Sequence, residues 1–240
     1  MKKHIYLLPI ILALFCLTIL PSCHIGCIKG SGKEVNENRM VGSFSKLEIS
    51  GAFKINLKQD SSHALTVTAD DNLMKYIKTE VSGNKLRIYT RKNFCNDNAI
   101  TLNIPITQLD EVKGSGAVQL TSEGRINTQN FKMELSGISK VDMDLSAADV
   151  ETKASGAVEI FLKGQAASHR VEVAGVGKLH AFDFVVGNYN IKTSGTGNCE
   201  INVLKTLIVH TSGAADIKYK GNPSSIESEK SGASKITKVQ

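Results

Sequence analysis

Apolar and polar residues alternate along most of the chain, with the two-residue period of β-strands. In the C-terminal half a Ser-Gly or Ala-Gly pair interrupts this alternation at regular intervals, and Lys153-Ala154-Ser155-Gly156 is a representative copy. From Gly116 onward, the glycines of these pairs are 21, 19, 19, 20, 18 and 19 residues apart. A fixed period near twenty residues indicates a solenoid of stacked repeats rather than a fold with one compact core.

The position four residues after each of these glycines is always apolar. It is occupied by Leu120, Val141, Ile160, Leu179, Cys199, Ile217 and Ile236. We therefore expect each repeat to be a strand, a Ser-Gly corner and a second strand, with alternate side chains pointing inward. The glycine suits a corner with positive φ or a crowded backbone. Because Ser155 recurs in equivalent corners, a structural role is favoured over that of a nucleophile.

The charged residues on the first strand of each repeat alternate in sign from one repeat to the next. Three residues before the glycine they are Lys113, Glu134, Lys153, Glu172 and Lys192. Five residues before it they are Glu111, Lys132, Glu151 and Arg170. Parallel stacking in register, at ~4.8 Å per strand, would place opposite charges side by side. The pattern predicts a parallel β-helix, right-handed because parallel crossovers almost always have that hand.

Residues 36–109 depart from the period and predict a β-rich module that caps the solenoid. Strands are predicted at residues 44–49, 52–58, 64–69, 86–90 and 100–104. A helix of about two turns is predicted from Asp70-Asp71-Asn72, with Leu73 and Ile77 on one face. The predicted fold class is all-β: a right-handed parallel β-helix over residues 110–240, with an N-terminal β-rich capping module that contains one short helix.

Residues 1–22 predict a lipoprotein signal peptide. Two lysines precede an apolar run from Ile5 to Leu20, which is short for a membrane-spanning helix. Leu20-Pro21-Ser22-Cys23 resembles a bacterial lipobox, whose cysteine is acylated; an ordinary signal peptide or an uncleaved anchor is the alternative. Cys27 fits a lipobox less well. Residues 23–35 then predict a lipidated tether, which places the protein in the bacterial cell envelope, at the outer membrane, with the leaflet open.

The net charge and the spacing of the cysteines limit the classes of function that fit this chain. The net charge of +6 falls to +4 without residues 1–22, which is too mild and too dispersed to indicate nucleic-acid binding. No cysteine or histidine spacing is typical of a metal site, and no motif indicates a cofactor. Cys199 lies in an apolar column and is predicted to be a buried thiol. A Cys95–Cys199 disulfide is chemically allowed in the envelope.

These features together resemble the family described as putative auto-transporter adhesin, head GIN domain, which is common among Bacteroidetes lipoproteins. The matching stretches are Gly30-Ser31-Gly32-Lys33-Glu34-Val35, Phe44-Ser45-Lys46-Leu47-Glu48-Ile49-Ser50-Gly51, Ala69-Asp70-Asp71-Asn72-Leu73 and the repeated Ser-Gly-Ala corners. The resemblance covers nearly all of the mature chain. It implies an all-β, β-helix-like lipoprotein with a binding role, and it supplies no catalytic motif.

Two function classes fit these observations. The first is a non-enzymatic, adhesin-like or structural envelope protein that binds a polysaccharide or protein through the solenoid face or the N-terminal module. The alternative is a pectinase-like, carbohydrate-active enzyme, since such enzymes share the parallel β-helix but need converging carboxylates. Asp142 and Asp144 are the only candidate pair of catalytic carboxylates, and the next repeat has Phe161 and Lys163 instead of further acids. A carrier of a lipid or small apolar ligand is a third possibility.

The lipid anchor gives the first testable prediction. Replacing Cys23 with Ser should release the protein from the membrane fraction, because the acylated thiol would be lost. Fractionation with and without detergent measures this directly. A Cys23→Ser protein that still needs detergent for solubility would contradict the lipobox interpretation.

Overall fold

The computed structural model describes residues 26–95 and 98–240. Their regular structure is β-strand apart from one helical turn, which confirms the predicted all-β class. The predicted signal peptide and Cys23 lie outside the described residues. The boundary predicted between residues 109 and 110 remains a prediction, because a continuous sheet crosses it.

The N-terminal half consists of short strands gathered around one long strand. These elements are β1 (Ile28–Lys29), β2 (Glu34–Met40), β3 (Lys46–Gln59), β4 (Ala64–Asp70), α1 (Asp71–Met74), β5 (Ile77–Ser82), β6 (Lys85–Thr90), β7 (Phe94–Cys95) and β8 (Thr101–Ile106). β3 pairs in parallel with β6, β8 and the first strand of the repeats. β2 and β4 close the far side in antiparallel pairing, and β5 forms a hairpin with β6.

The sequence-based elements of this half are largely confirmed, with one correction. The turn at Ser82-Gly83-Asn84 connects β5 and β6, and Gly83 has the positive φ of 57° that such a turn favours. The predicted two-turn helix is wrong in length, because α1 ends at Met74 and Ile77 begins β5. Leu73 and Ile77 are both buried, so the apolar pattern was correct although the residues belong to different elements.

The C-terminal half contains much longer strands, and their pairing follows the sequence period. These strands are β9 (Glu111–Asn127), β10 (Asn130–Ser212), β11 (Ala214–Lys220), β12 (Ser225–Ser231) and β13 (Ser234–Lys238). The pairings of β10 with β9, β11 and β12, and of β11 with β13, are parallel and join residues about one repeat apart: Gly137 lies opposite Gly116, and Cys199 lies opposite Ile217. The same register continues into the N-terminal half, where Gly51 lies opposite Gly116.

The inward columns form a continuous core. The predicted apolar position four residues after each corner glycine is fully buried from Leu120 to Ile217, and Cys199 is the buried free thiol expected there. The position four residues before the glycine is also buried, from Val112 to Val209. Because strand side chains alternate, the polar residues between these columns face outward.

Backbone crowding fixes the identity of the corner residue. At Gly156, φ is +103°, and an added Cβ would overlap the carbonyl oxygen of Gly137 in the preceding repeat. At Gly137, with φ of +93°, the same atom would lie 2.5 Å from the carbonyl oxygen of Gly116. Both explanations offered by the sequence, positive φ and close backbone approach, therefore apply at these corners.

This corner geometry predicts the effect of substitution at Gly156. Gly156→Val should lower the free energy of unfolding by about 3 kcal/mol or more, because overlap with Gly137 adds to about 1–3 kcal/mol of backbone strain. Gly124→Val is the matched control: Gly124 has φ of +80° but an added Cβ would meet nothing within 4 Å. Urea unfolding of both variants separates the two causes. Equal losses would contradict the claim that the repeats touch through their backbones.

One histidine is enclosed in the core between repeats. His169 accepts or donates a 2.9 Å hydrogen bond through Nε2 with Thr152 Oγ1, and its ring packs against Phe184 and Tyr189. Burial lowers the pKa of His169 to about 3, because the core disfavours the charged imidazolium. The imidazole is therefore neutral in the folded protein at neutral pH.

His169 should make the fold sensitive to acid. The unfolded chain takes up a proton below about pH 6.5, while the folded imidazole resists it down to a pKa of about 3. Stability should therefore fall through this window by about 1.4 kcal/mol per pH unit. Urea midpoints at pH 7 and pH 5 test this. The loss of stability between pH 7 and pH 5 should disappear in His169→Gln and remain in His63→Gln, which alters an exposed histidine. An equal loss in the unmodified protein and in both variants would contradict the assignment of this loss to His169.

Candidate functional site

The sequence-predicted carboxylate pair is not a catalytic pair in the structure. Asp144 Oδ1 accepts a 2.8 Å hydrogen bond from Arg125 Nε, and the Asp144 backbone amide donates to Ser122 Oγ. The register shifts by a bulge between Asp142 and Asp144, at the one repeat of 21 residues. Asp142 is exposed to solvent. The two acids therefore flank a bulge in which three residues of β9, 122–124, face Met143 alone, and Arg125 neutralises the more buried Asp144.

The N-terminal segment is bound to the module by a disulfide that the sequence did not predict. Cys27 is bonded to Cys95, whereas Cys199 is free, so the Cys95–Cys199 pairing considered from sequence is wrong. β1 pairs in parallel with β7 beside this disulfide, and the amide of Ile28 donates to the carbonyl oxygen of Asn93 at 2.9 Å. Much of the predicted tether is therefore attached to the folded domain.

Two of the family-like stretches meet immediately after the disulfide. Ser31 Oγ donates to Asp71 Oδ1 at 2.7 Å, and the Ser31 amide donates to Asn72 Oδ1 at 3.0 Å. The Gly32 amide donates to buried Asp70 at 3.1 Å. The hydrogen bond from Ser31 is the main cause of a lowered pKa at Asp71. We call residues 27–33, held by the disulfide and by the Asp70-Asp71-Asn72 stretch, the N-terminal latch.

A large apolar groove lies on one side of the glycine corners. The apolar groove has a volume of about 980 Å³, and its floor is the column of mostly small residues that follows each glycine: Ala52, Ala117, Ile138, Ala157 and Val176. Asn93 and Phe94, next to the N-terminal latch, line one wall. Ile138 and Val176 are 70% and 54% exposed, although both are large and apolar. Exposed apolar residues along a groove indicate a surface that contacts something.

A second groove, lined by both polar and apolar residues, lies on the opposite side of the same corners. This ladder groove, of about 670 Å³, is lined by corner serines and by the alternating charged column: Ser115, Ser136, Ser155, Ser194, Glu48, Lys113, Glu134, Lys153, Glu172 and Lys192. Ser136 Oγ donates to the carbonyl oxygen of Gly114 at 3.4 Å, and Ser155 Oγ donates to that of Leu135 at 3.5 Å. These bonds join successive repeats, which supports the structural role predicted for Ser155.

The predicted alternation of charge produces ion pairs in both directions along this surface. Lys113 Nζ lies 3.1 Å from Glu134 in the next repeat and 3.2 Å from Glu111 on its own strand. A hydrogen bond with Glu151 and weaker attraction from Glu172 and Glu134 raise the pKa of Lys153. Lys153 therefore lies between Glu134 and Glu172, as the sequence pattern predicted. Exposed pairs of this kind contribute little stability, so their main effect is on register.

Two histidines outside the core, His180 and His210, belong to surface pairs. His180 Nδ1 lies 2.9 Å from Glu200, and the His180 ring stacks on Phe161 of the preceding repeat at 4.6 Å between centroids. His210 Nδ1 lies 3.0 Å from Glu229, as expected for a continuation of the charged column. Because the Phe161 and His180 rings stack on each other, they cover each other's facing surfaces.

Neither groove assembles the groups that a hydrolytic reaction needs. Within residues 26–95 and 98–240, no three His, Cys, Asp or Glu side chains come close enough to hold a metal ion. The carboxylates of the ladder groove each lie beside a lysine or an arginine, and Glu159 is the one acidic residue that lines the apolar groove. In the same described ranges, no helix has the length and hydropathy needed to cross a membrane.

Family comparison assigns this architecture to a class of adhesin-like proteins. The profile of the family described as putative auto-transporter adhesin, head GIN domain, matches residues 43–223. The chain belongs to this family, as its sequence motifs indicated. A comparison with curated proteins finds no match.

Solved structures share the fold at low sequence identity. A putative adhesin from Bacteroides fragilis is 22% identical, with a TM-score of 0.82 over 88% of this chain and 100% of its own. A putative adhesin from Parabacteroides distasonis is 20% identical, with a TM-score of 0.69 over 89% and 100% of the two chains. A putative lipid binding protein from the same species is 19% identical, with a TM-score of 0.72 over 90% and 100%. At these identities the likeness establishes the fold alone.

Proposed function

We propose that this protein is a cell-envelope lipoprotein whose non-enzymatic, adhesin-like domain binds an extended polar polymer. The observation that carries the proposal is the ladder groove, in which each repeat presents a corner residue, usually a serine, and a charged side chain at the same position. A repeating surface of this kind suits a repeating ligand, since each repeat can make the same contact. The partner is a polysaccharide or an extended protein segment.

The proposed architecture is a right-handed parallel β-helix over residues 110–240, capped by the module of residues 36–109. Parallel pairing at one-repeat spacing supports it, as does the contact between the corner glycines of successive repeats. The right hand follows from the general preference of parallel crossovers. The module shares β3 with the repeats and covers their first strand, as an end cap does.

The proposed anchor is an acylated Cys23 at the outer membrane. The lipobox-like Leu20-Pro21-Ser22-Cys23 supports it, and so does family membership, since an adhesin-like role requires a cell-surface or envelope location. The Cys27–Cys95 disulfide is consistent with an oxidising compartment outside the cytoplasm.

Binding without turnover is the outcome that the side chains favour. Retaining and inverting glycosidases need two carboxyl groups in defined positions, one of them able to donate a proton. Asp144 is paired with Arg125, and the carboxylates of the ladder groove are paired with lysines or arginines. A pectinase-like activity at Asp142 and Asp144 is therefore the less supported alternative.

A glycan-array screen of the purified protein, followed by a reducing-sugar assay on each ligand found, tests this proposal. We expect retention without turnover, because the groove offers hydrogen bonds and charges but no acid–base pair. Lys113→Ala combined with Lys153→Ala should weaken retention by about tenfold, or ~1.4 kcal/mol. The matched control, Lys163→Ala with Lys205→Ala, alters exposed lysines outside the ladder groove and should have no effect.

Two results would contradict the proposal. One is turnover that Asp142→Asn with Asp144→Asn abolishes, which would support the enzymatic alternative. The other is equal loss of retention in both lysine double variants, which would mean that the ladder groove is not the binding surface.

A further inference from the structure

The N-terminal latch fixes where the chain leaves the folded domain. Cys95 directly follows Phe94, a wall residue of the apolar groove, and Cys27 is bonded to Cys95. The Ile28 amide also binds the carbonyl oxygen of Asn93, another wall residue. The chain therefore reaches Cys27 at the edge of the apolar groove.

Chain length then limits how far the lipid can be from this groove. Cys23 precedes Cys27 by four residues. A fully extended chain spans at most ~3.6 Å per residue, so Cys23 lies within about 14 Å of Cys27. An acyl group on Cys23 would hold the edge of the apolar groove close to the membrane surface.

The side chains around the apolar groove suit a membrane surface. Exposed Ile138 and Val176 project from its floor, and its lining contains three lysines but one acid: Lys54, Lys140, Lys178 and Glu159. Three further basic residues are exposed near the latch disulfide along the chain: Lys29 pairs in register with Cys95, and Arg91 and Lys92 precede Cys95 by four and three residues. Basic residues next to apolar ones favour the interface of a bilayer that carries anionic lipids.

We propose that the apolar groove docks on the bilayer that holds the Cys23 lipid, so that the domain lies against the membrane instead of extending away from it. This inference rests on the lipidation proposed above. Two large apolar side chains and a few lysines bind a membrane weakly by themselves. The short link to the lipid raises their effective concentration at the surface, so that a weak contact is enough to set orientation.

A second copy of the chain fits the groove less well than a bilayer. A symmetric pairing would place the lysine-rich lining of one copy against that of the other, and like charges in close contact are unfavourable. Anionic headgroups complement the same lysines. The charge of the lining therefore favours lipid as the occupant.

Single-tryptophan reporters can test the docking, because the chain contains no tryptophan. Val176→Trp reports from the groove, Lys92→Trp from the surface beside the latch, and Leu204→Trp from an exposed position outside both. The full-length, lipidated proteins would be reconstituted into phosphatidylcholine–phosphatidylglycerol vesicles with brominated acyl chains. We expect brominated lipid to quench Val176→Trp and Lys92→Trp several-fold more strongly than Leu204→Trp.

Opening the disulfide of the latch should reduce this difference. With Cys27→Ser and Cys95→Ser added, the link between lipid and domain lengthens, and quenching at Val176→Trp should fall toward that at Leu204→Trp. Intact-mass measurement of every variant establishes whether Cys23 is acylated. An unmodified Cys23 would overturn both the lipoprotein proposal and the docking, whereas acylated Cys23 with equal quenching of all three reporters would overturn the docking alone.

Other occupants of the groove give different patterns, and each would overturn the docking. Quenching at Val176→Trp without quenching at Lys92→Trp would mean that a single lipid enters the groove while the surrounding surface stays in water. A blue-shifted Val176→Trp that brominated lipid does not quench would mean that a protein, such as a second copy, covers the groove.

Discussion

Backbone contact between the corner glycines of successive repeats is the constraint on which the rest of the structure depends. An added Cβ at Gly137, Gly156 or Gly175 would overlap the carbonyl oxygen of the preceding corner. Because the corners stack directly, the remaining positions of each repeat also lie above the equivalent positions of the preceding repeat. The buried columns, the serine hydrogen bonds between repeats and the alternating charges all follow from that register. The two grooves are the surfaces on either side of this line of corners.

The alternating charges follow from this constraint. Stacking at ~4.8 Å per strand would bring like charges together if every repeat carried the same residue. Lys113, Glu134 and Lys153 occupy one position in three successive repeats, and each has an opposite charge above, below or beside it. In these pairs the carboxylates of the ladder groove are held beside basic side chains.

Sequence periodicity predicted the register of the repeats well, because stacking requires the same kind of residue at the same position every ~20 residues. The buried position of Cys199 and the position of Lys153 between Glu134 and Glu172 could be inferred from alignment on the glycines alone. The bulge between Asp142 and Asp144 could not be predicted, because a 21-residue spacing does not show where along the repeat the extra residues lie. Without that knowledge, two acids one strand step apart resembled a candidate site.

The N-terminal latch could not be predicted in the same way. Its contacts join Ser31 to Asp71 and Cys27 to Cys95, over separations that no local pattern records. Asp70-Asp71-Asn72 indicated a helix start, which the structure confirms, but no local pattern showed that these residues also bind Ser31 and Gly32. The three cysteines that follow Cys23 were compatible with several pairings, and only the fold brings Cys27 and Cys95 together.

Disulfide cross-linking between equivalent positions of adjacent repeats tests the register most directly. Ala157 and Val176 each follow a corner glycine, and Gly156 and Gly175 are in contact. Ala157→Cys with Val176→Cys should therefore oxidise readily, since directly opposed residues lie within the 4.4–6.8 Å that a disulfide spans between Cα atoms. Ala157→Cys with Lys178→Cys places the partner diagonally, ~7–8 Å away, and should oxidise poorly. Faster oxidation of the diagonal pair, or equal oxidation of both, would contradict the stacking of corner on corner.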